Sequence, residues 1–271
     1  LCAKNLAIPA IKLSDKHFDT VLWSGNGSSQ TISVPEFSPD WVWVKKRSGG
    51  SARSHQLYDT VRGATKLLHS DNQNAEQTQS AGLTSFGTKN FAIGGDDGIN
   101  GSGGTYVAWN WKGGGAASSN GDGSATTSVS VNATAGFSIV SYAGTGSAQT
   151  LGHGLGVAPE MIIVKNRDTS NKNWRVYHSG LGGANKYIDL NLTDAGGTAT
   201  SVWNNTAPTS TVFSVADDGG SNGDGNNLIA YCFASVEGFS KVGSYVGNGQ
   251  SDGPFIYTGF RPAYLMFKES S

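Results

Sequence analysis

The residues able to carry chemistry in this chain are few, and their spacing draws none of them into a reactive group. The five histidines are His17, His55, His69, His153 and His178. None has a partner at i, i+4, and none stands in an H-E-x-x-H pattern, so zinc ligation has no support. The paired acids Asp96-Asp97 and Asp217-Asp218 each precede a glycine, and Asn222 and Asp224 add further oxygens near the second pair. That is the nearest approach to a calcium loop, but it lacks the Gly at position six and the Glu at position twelve of an EF-hand. Glu36, Glu160 and Glu237 sit at loop-like positions, whereas glycoside hydrolysis needs two carboxylates flanking one bond. Cys2 and Cys232 lie far apart and form neither a disulfide framework nor a metal cluster; Cys232 reads as a small buried apolar side chain. The expectation is no catalytic residue, no metal site and no cofactor.

Tryptophan offers the remaining binding chemistry. Trp41, Trp43, Trp109 and Trp111 lie in apolar, strand-like runs and read as core. Trp174 (in NKNWRVY) and Trp203 (in TSVWNNT) stand among polar residues instead. An exposed indole beside Asn and Arg can stack on a sugar ring or pack against a neighbouring subunit. Trp174 and Trp203 are therefore the candidate ligand-binding residues.

The elements that would position these side chains follow from composition. Charged residues are only 14% of the 271, while glycine supplies 39 positions and aromatics 10%. Aromatic content this high argues against disorder, and the glycines lack the three-residue period of collagen. Short strands joined by Gly/Asn/Asp/Ser turns remain, giving an all-β chain. A net charge of −1 gives no basic footprint for nucleic acid, and no apolar run approaches the roughly 20 residues that span a bilayer.

The chain also repeats itself. WSGNGSSQT (23–31), YAGTGSAQT (142–150) and YVGNGQSDG (245–253) each place a glycine two residues after an aromatic and a second glycine two residues later. Each is followed by a proline, one spacer, four apolar residues and a lysine: Pro39–Lys45, Pro159–Lys165 and Pro262–Lys268. Between the first two copies the match continues to Tyr106–Trp111 against Leu228–Phe233, with the offset drifting from 119 to 122. Asp96-Asp97-Gly98 aligns with Asp217-Asp218-Gly219 in this reading. The apolar tetrads are too short for helices and predict strands buried on both faces; Leu57–Ser70 admits at most one helical turn.

The predicted architecture is tandem antiparallel β-sandwich repeats, jelly-roll-like, in a rod-like or beaded array. Residues 1–16 form a junction, 17–112 the first repeat, 113–128 a Gly/Ser-rich linker, 129–237 the second repeat, and 238–271 the start of a third. A partial sandwich leaves strand edges unpaired, so the polypeptide is expected to continue past Ser271, and an opening at Leu1 without an initiator Met reads as an internal piece of something longer.

The blocks GFSIVSYAGTG, HGLGVAPEMIIVKNR, YIDLNLTDA, VWNNTAPTS and GNNLIAYCFASVEGFSKVGSYVGNG resemble tandem-repeat virion structural or tail-fibre-like proteins of marine bacteriophages. The similarity runs from about Asp15 to Ser271. It implies a non-catalytic component on the surface of a virion, as a fibre, spike or surface decoration. Its implied partners are copies of itself in a homo-oligomer such as a trimer, other virion proteins, and a host surface glycan. The alternative is a secreted carbohydrate-binding or adhesin module of a bacterial surface protein.

Overall fold

Each apolar run between glycine turns becomes a short strand, and the central strands alternate their side chains between two covered faces. The computed structural model describes residues 11–270; Cys2 lies outside the described residues. The first unit contains β1 (Phe18–Ser24), β2 (Gln30–Ser33), β3 (Trp41–Ser48), β4 (Gln56–Asp59), β5 (Lys66–Leu67), β6 (Gln77–Thr78), β7 (Leu83–Gly87), β8 (Asn90–Ile93), a helical turn α1 (Asp97–Asn100) and β9 (Thr105–Trp111). The second contains β10 (Ser118–Asn120), β11 (Thr127–Asn132), β12 (Phe137–Ala143), β13 (Gln149–Gly152), β14 (Met161–Asn166), β15 (Arg175–His178), β16 (Lys186–Asp189), β17 (Gly197–Thr198), α2 (Thr200–Trp203), β18 (Val212–Val215), α3 (Gly219–Asn222) and β19 (Asn227–Phe233). The chain is all-β, and the ladders between named strands are antiparallel.

The sequence blocks that align fall on strands in the same places. The order β1-β9-β3-β4 recurs as β12-β19-β14-β15 within an eight-stranded sheet; β2-β8 recurs as β13-β18, and β5-β6 as β16-β17. Where unit 1 has β7 before β8, unit 2 has α2 before β18. Leu57–Ser70 holds β4, a turn and β5 rather than a helical turn.

Alternation along the central strands builds three cores. Val42 and Val44 of β3 point into unit 1 with Tyr58, Phe91, Tyr106 and Ala108. Ile162 and Val164 of β14 point into unit 2 with Tyr142, Leu151, Trp203 and Phe213, and Cys232 is buried there as a free thiol. The opposite faces meet each other: Trp41, Trp43 and Leu57 share one core with Phe137, Ile163, Val176 and Tyr231. Beads on a string are therefore the wrong picture. The outer sheet faces are too apolar to stay wet, and each unit covers the other's.

Residues 113–128 are no free linker either. The Gly113 amide donates to the Asp40 carboxylate at 2.8 Å, Gly114 donates to Ser130 Oγ at 2.9 Å, and β10 pairs with β11 at the sheet edge. Two of this segment's glycines thus bring the backbone into hydrogen-bonding contact with both units.

Candidate functional site at the face between the units

The repeated aromatic–Ser/Ala–Gly turn exists to wrap a buried asparagine. Asn222 ends α3 with no exposed surface. Its Oδ1 accepts from the Thr145 amide (3.0 Å) and Gln149 Nε2 (2.7 Å), and its Nδ2 donates to the carbonyls of Ser147 and Ala216. Asn100, equally buried at the end of α1, accepts from Asn26 N (3.1 Å) and Gln30 Nε2 (2.6 Å) and donates to the carbonyls of Ser28 and Gly94. The partners are the same positions of the two turns. The glycine of the two folded turns follows from close approach: a Cβ at Gly25 or Gly144 would sit 2.2 or 2.1 Å from the carbonyl oxygen of Gly101 or Gly223. The aromatic before it also ties down the helical turn, with Trp23 Nε1 donating to Ile99 O and Tyr142 Oη to Ser221 O.

This geometry corrects the alignment of the paired acids. Asp96 caps α1 through Gly98 N, and Asp218, not Asp217, caps α3 through Gly220 and Ser221. The acids gather no metal-ligand cluster among the described residues. Asp97 pairs with Lys46 and Arg53, Asp218 with Arg175, and the Asn222 carboxamide is fully engaged inside the turn. A polar cleft of about 390 Å³ lies beside α1, lined by Arg53, His69, Gln79 and Asp96 among others. Its Asp96 carboxylate accepts from Gln56, Gln79 and Gly98 N, so it serves as an internal acceptor.

The face between the units is where the aromatic residues converge. Trp41 stacks on Tyr231 (centroids 4.2 Å, 15°) and on Phe137 (5.7 Å, 14°), and lies 4.4 Å from Trp111. Offset stacking of this kind adds about 0.5–1.5 kcal/mol per pair beyond area burial. A polar network crosses beside it. Arg62, with its side chain fully buried, binds Asp59 through Nε, the carbonyls of Lys66 and Leu57 through Nη1 and Nη2, and Glu76 at 3.1 Å. Tyr231 of unit 2 donates its hydroxyl to the same Asp59 carboxylate at 2.7 Å. Burial opposes the Arg62 charge, but Asp59, Tyr231 and Glu76 outweigh it and hold the guanidinium above its ordinary pKa.

Glu76 is the latch between the units. Both its oxygens accept from Arg167 at 2.9 Å, and its amide donates to Arg167 O at 2.7 Å. Burial alone would raise its carboxyl; Arg167 and Arg62 outweigh that and hold it below the usual glutamate range. Its contribution is present above the unfolded-state value and fades as pH falls through the folded one.

Trp174 and Trp203, the sequence's ligand-binding candidates, are both buried and cannot stack on a sugar. Trp174 crosses the face, its indole donating to His69 O of unit 1 at 2.8 Å. It stands where unit 1 has His55, which accepts from Trp43 Nε1 at 2.8 Å. Trp203, on α2, packs edge-on to Tyr177 and fills unit 2's core. The polar neighbours belong to the loops; the indoles point inward.

The lysine of the repeated motif ties its strand to a later loop: Lys45 donates to Arg53 O, and Lys165 to Lys172 O at 2.6 Å and Gln73 O at 3.3 Å. Lys165 is fully buried with only carbonyl partners, and desolvation lowers its pKa to about 8. Between that value and the unfolded lysine value near 10.4, the unfolded chain binds more protons, so this group makes stability rise with pH. Cys232, raised by burial to about 12, works in the opposite sense above the ordinary thiol range. The expected result is therefore read as a difference: denaturant unfolding from pH 7.5 to 10.5 should show wild type gaining on Lys165→Met by about 1–3 kcal/mol. A constant difference would place Lys165 in water.

The asparagine pair left a sequence signal, since Gln30 and Gln149 stand at the same place in the glycine turns and Asn100 and Asn222 each lie four residues after a capping aspartate, Asp96 or Asp218. Arg62 left none, because Gly182 stands at the matching place in unit 2, just before the shared Gly63/Gly183. Comparison with known proteins found no match among curated proteins or solved structures. The family model described as Domain of unknown function (DUF7483) matches residues 13–271, and the chain belongs to that family.

Proposed function

We propose that the chain is a non-catalytic structural component of a bacteriophage virion, carried on the particle surface as a fibre, spike or surface decoration. The observation that carries this reading is that the two units direct their aromatic faces and their buried ionic network toward each other. Their conspicuous side chains serve assembly: Asp59, Glu76, Arg62 and Lys165 are engaged in internal bonds, and the indoles of Trp41, Trp174 and Trp203 are buried in the cores. The resemblance of the repeat blocks to virion proteins supplies the setting. The partners are further copies of the chain, as in a trimer, together with other virion proteins and a host surface glycan. A net charge of −1 offers nucleic acid no basic face. The rival reading as a secreted carbohydrate-binding module loses its main support with the burial of Trp174 and Trp203.

The test is to label purified particles with gold-conjugated antibody against the folded chain. Regular labelling of the particle exterior is expected. Particles free of the chain, or polysaccharide turnover abolished by replacing one acid, would overturn the reading.

A further inference from the structure

Residues 241–270 contain no strand, although Tyr245–Gly253 and Pro262–Lys268 match the blocks that form β1–β2 and β3 in unit 1. The sheet order gives the physical reason. In both units the last strand lies between the first and third, as β9 between β1 and β3 and β19 between β12 and β14. The first and third strands never pair with each other. Without a strand of the β9 type between them, the two stretches have no ladder partner, and Lys268 is held instead through its ammonium by the carbonyls of Leu192 and Asp194.

Three further observations locate the complement. Gly249 holds φ +67°, as Gly27 (+71°) and Gly146 (+62°) do, so the turn already has its working conformation. Yet a Cβ at Gly247 would meet nothing within 4 Å, where Gly25 and Gly144 touch the carbonyl after an α1- or α3-type turn. The seat is shaped and empty of protein. Next, Tyr264, at the place of Trp41, packs on Phe18, Trp109 and Trp111, with burial raising its hydroxyl to about 12. It extends the face between units along a groove of about 670 Å³. Last, Leu265 and Phe267 occupy the places of the fully buried Val42 and Val44 but are 69% and 79% exposed, and Phe255 and Tyr257 are 90% and 76% exposed. The three aromatics Phe255, Tyr257 and Phe267 alone expose roughly 400–500 Å².

We infer that residues 241–268 are a docking surface for one occupant: the complementary half of a unit of this same fold. That half carries an Asp-x-x-x-Asn helical turn followed by a strand of alternating large apolar residues. Its asparagine enters the turn at Gly247–Gly249, its strand inserts between the stretches around Tyr245 and Tyr264, and its inward face covers Leu265 and Phe267. The outer face of the completed unit then closes the groove against Phe18, Trp109 and Trp111. This holds whatever particle the chain belongs to.

The test supplies the complement from the chain's own second unit, by joining a copy of residues 166–237 directly after Lys268 and following amide exchange by mass spectrometry. In the unextended chain, Tyr245–Lys268 should exchange at the rate of open loops. In the extended chain their protection should rise about 100-fold or more, since a paired central strand opens only near the global free energy. An extended chain whose added asparagine (the copy of Asn222) is alanine should lose most of that gain while units 1 and 2 keep their protection. Two results would overturn the inference. One is an added segment that folds while Tyr245–Lys268 stay unprotected. The other is an unextended chain that sediments as a dimer with this stretch already protected, because a second copy would then be the occupant.

Discussion

Arg62→Met should destabilise the protein by about 3–5 kcal/mol, the cost of leaving one member of a buried ion pair alone. Arg62 and Asp59 both have completely buried side chains. Removing the guanidinium leaves the Asp59 carboxylate with only the Arg62 backbone amide (2.8 Å) and the Tyr231 hydroxyl. It also strips a donor from Lys66 O, Leu57 O and Glu76. Because Tyr231 belongs to unit 2, the loss should loosen the face between units as well as unit 1. The double variant Asp59→Asn, Arg62→Met removes both charges and should recover part of the loss, since replacing a whole buried pair is far milder than breaking one. Urea unfolding followed by tryptophan fluorescence checks both. A loss below about 1 kcal/mol for the single variant would mean that water reaches the pair.

Asn222→Ala should cost about 3–4 kcal/mol, since four hydrogen bonds vanish at about 1 kcal/mol each and their buried partners stay behind. Two of those partners are the carbonyls of Ser147 and Ala216, which no nearby donor can rescue without moving the turn. Asn100→Ala breaks the four matching bonds in unit 1, together with a longer one from its Nδ2 to Asn26 Oδ1 (3.1 Å), and should cost a similar amount. Equality of the two is the informative result, because it depends on the same position doing the same work in both units. Thermal unfolding of the two variants side by side measures it. A difference above about 2 kcal/mol would show that the turns are alike in sequence but not in energetics.

Composition and the apolar tetrads made the strands legible, because a four-residue run bounded by Pro and a polar turn can only be a short strand covered on both sides. What periodicity could not show was the identity of the second cover. The odd face of β3, Trp41 and Trp43, needed a partner, and a single unit offers none; the partner is the matching face of β14 and β19. The error over Trp174 and Trp203 has the same origin. Polar neighbours along the chain describe the loop, while the direction of one side chain is set by packing partners far away in sequence, such as His69 for Trp174. The Asp96/Asp218 register was hidden because two adjacent acids fit either alignment until the cap geometry distinguishes them. Arg62 was illegible for a plainer reason: it has no counterpart to repeat.

Residues of both units share one core, and that shared core makes the chain a single mechanical body rather than two modules on a tether. Native-state amide exchange on the intact chain at rising urea tests this most directly. The amides of Trp43–Lys45 in β3 and Ile229–Cys232 in β19 should open with the same free energy and the same denaturant dependence, in one cooperative event. If β3 opened several kcal/mol below β19, or the reverse, the units would be folding independently and the face between them would hold nothing together.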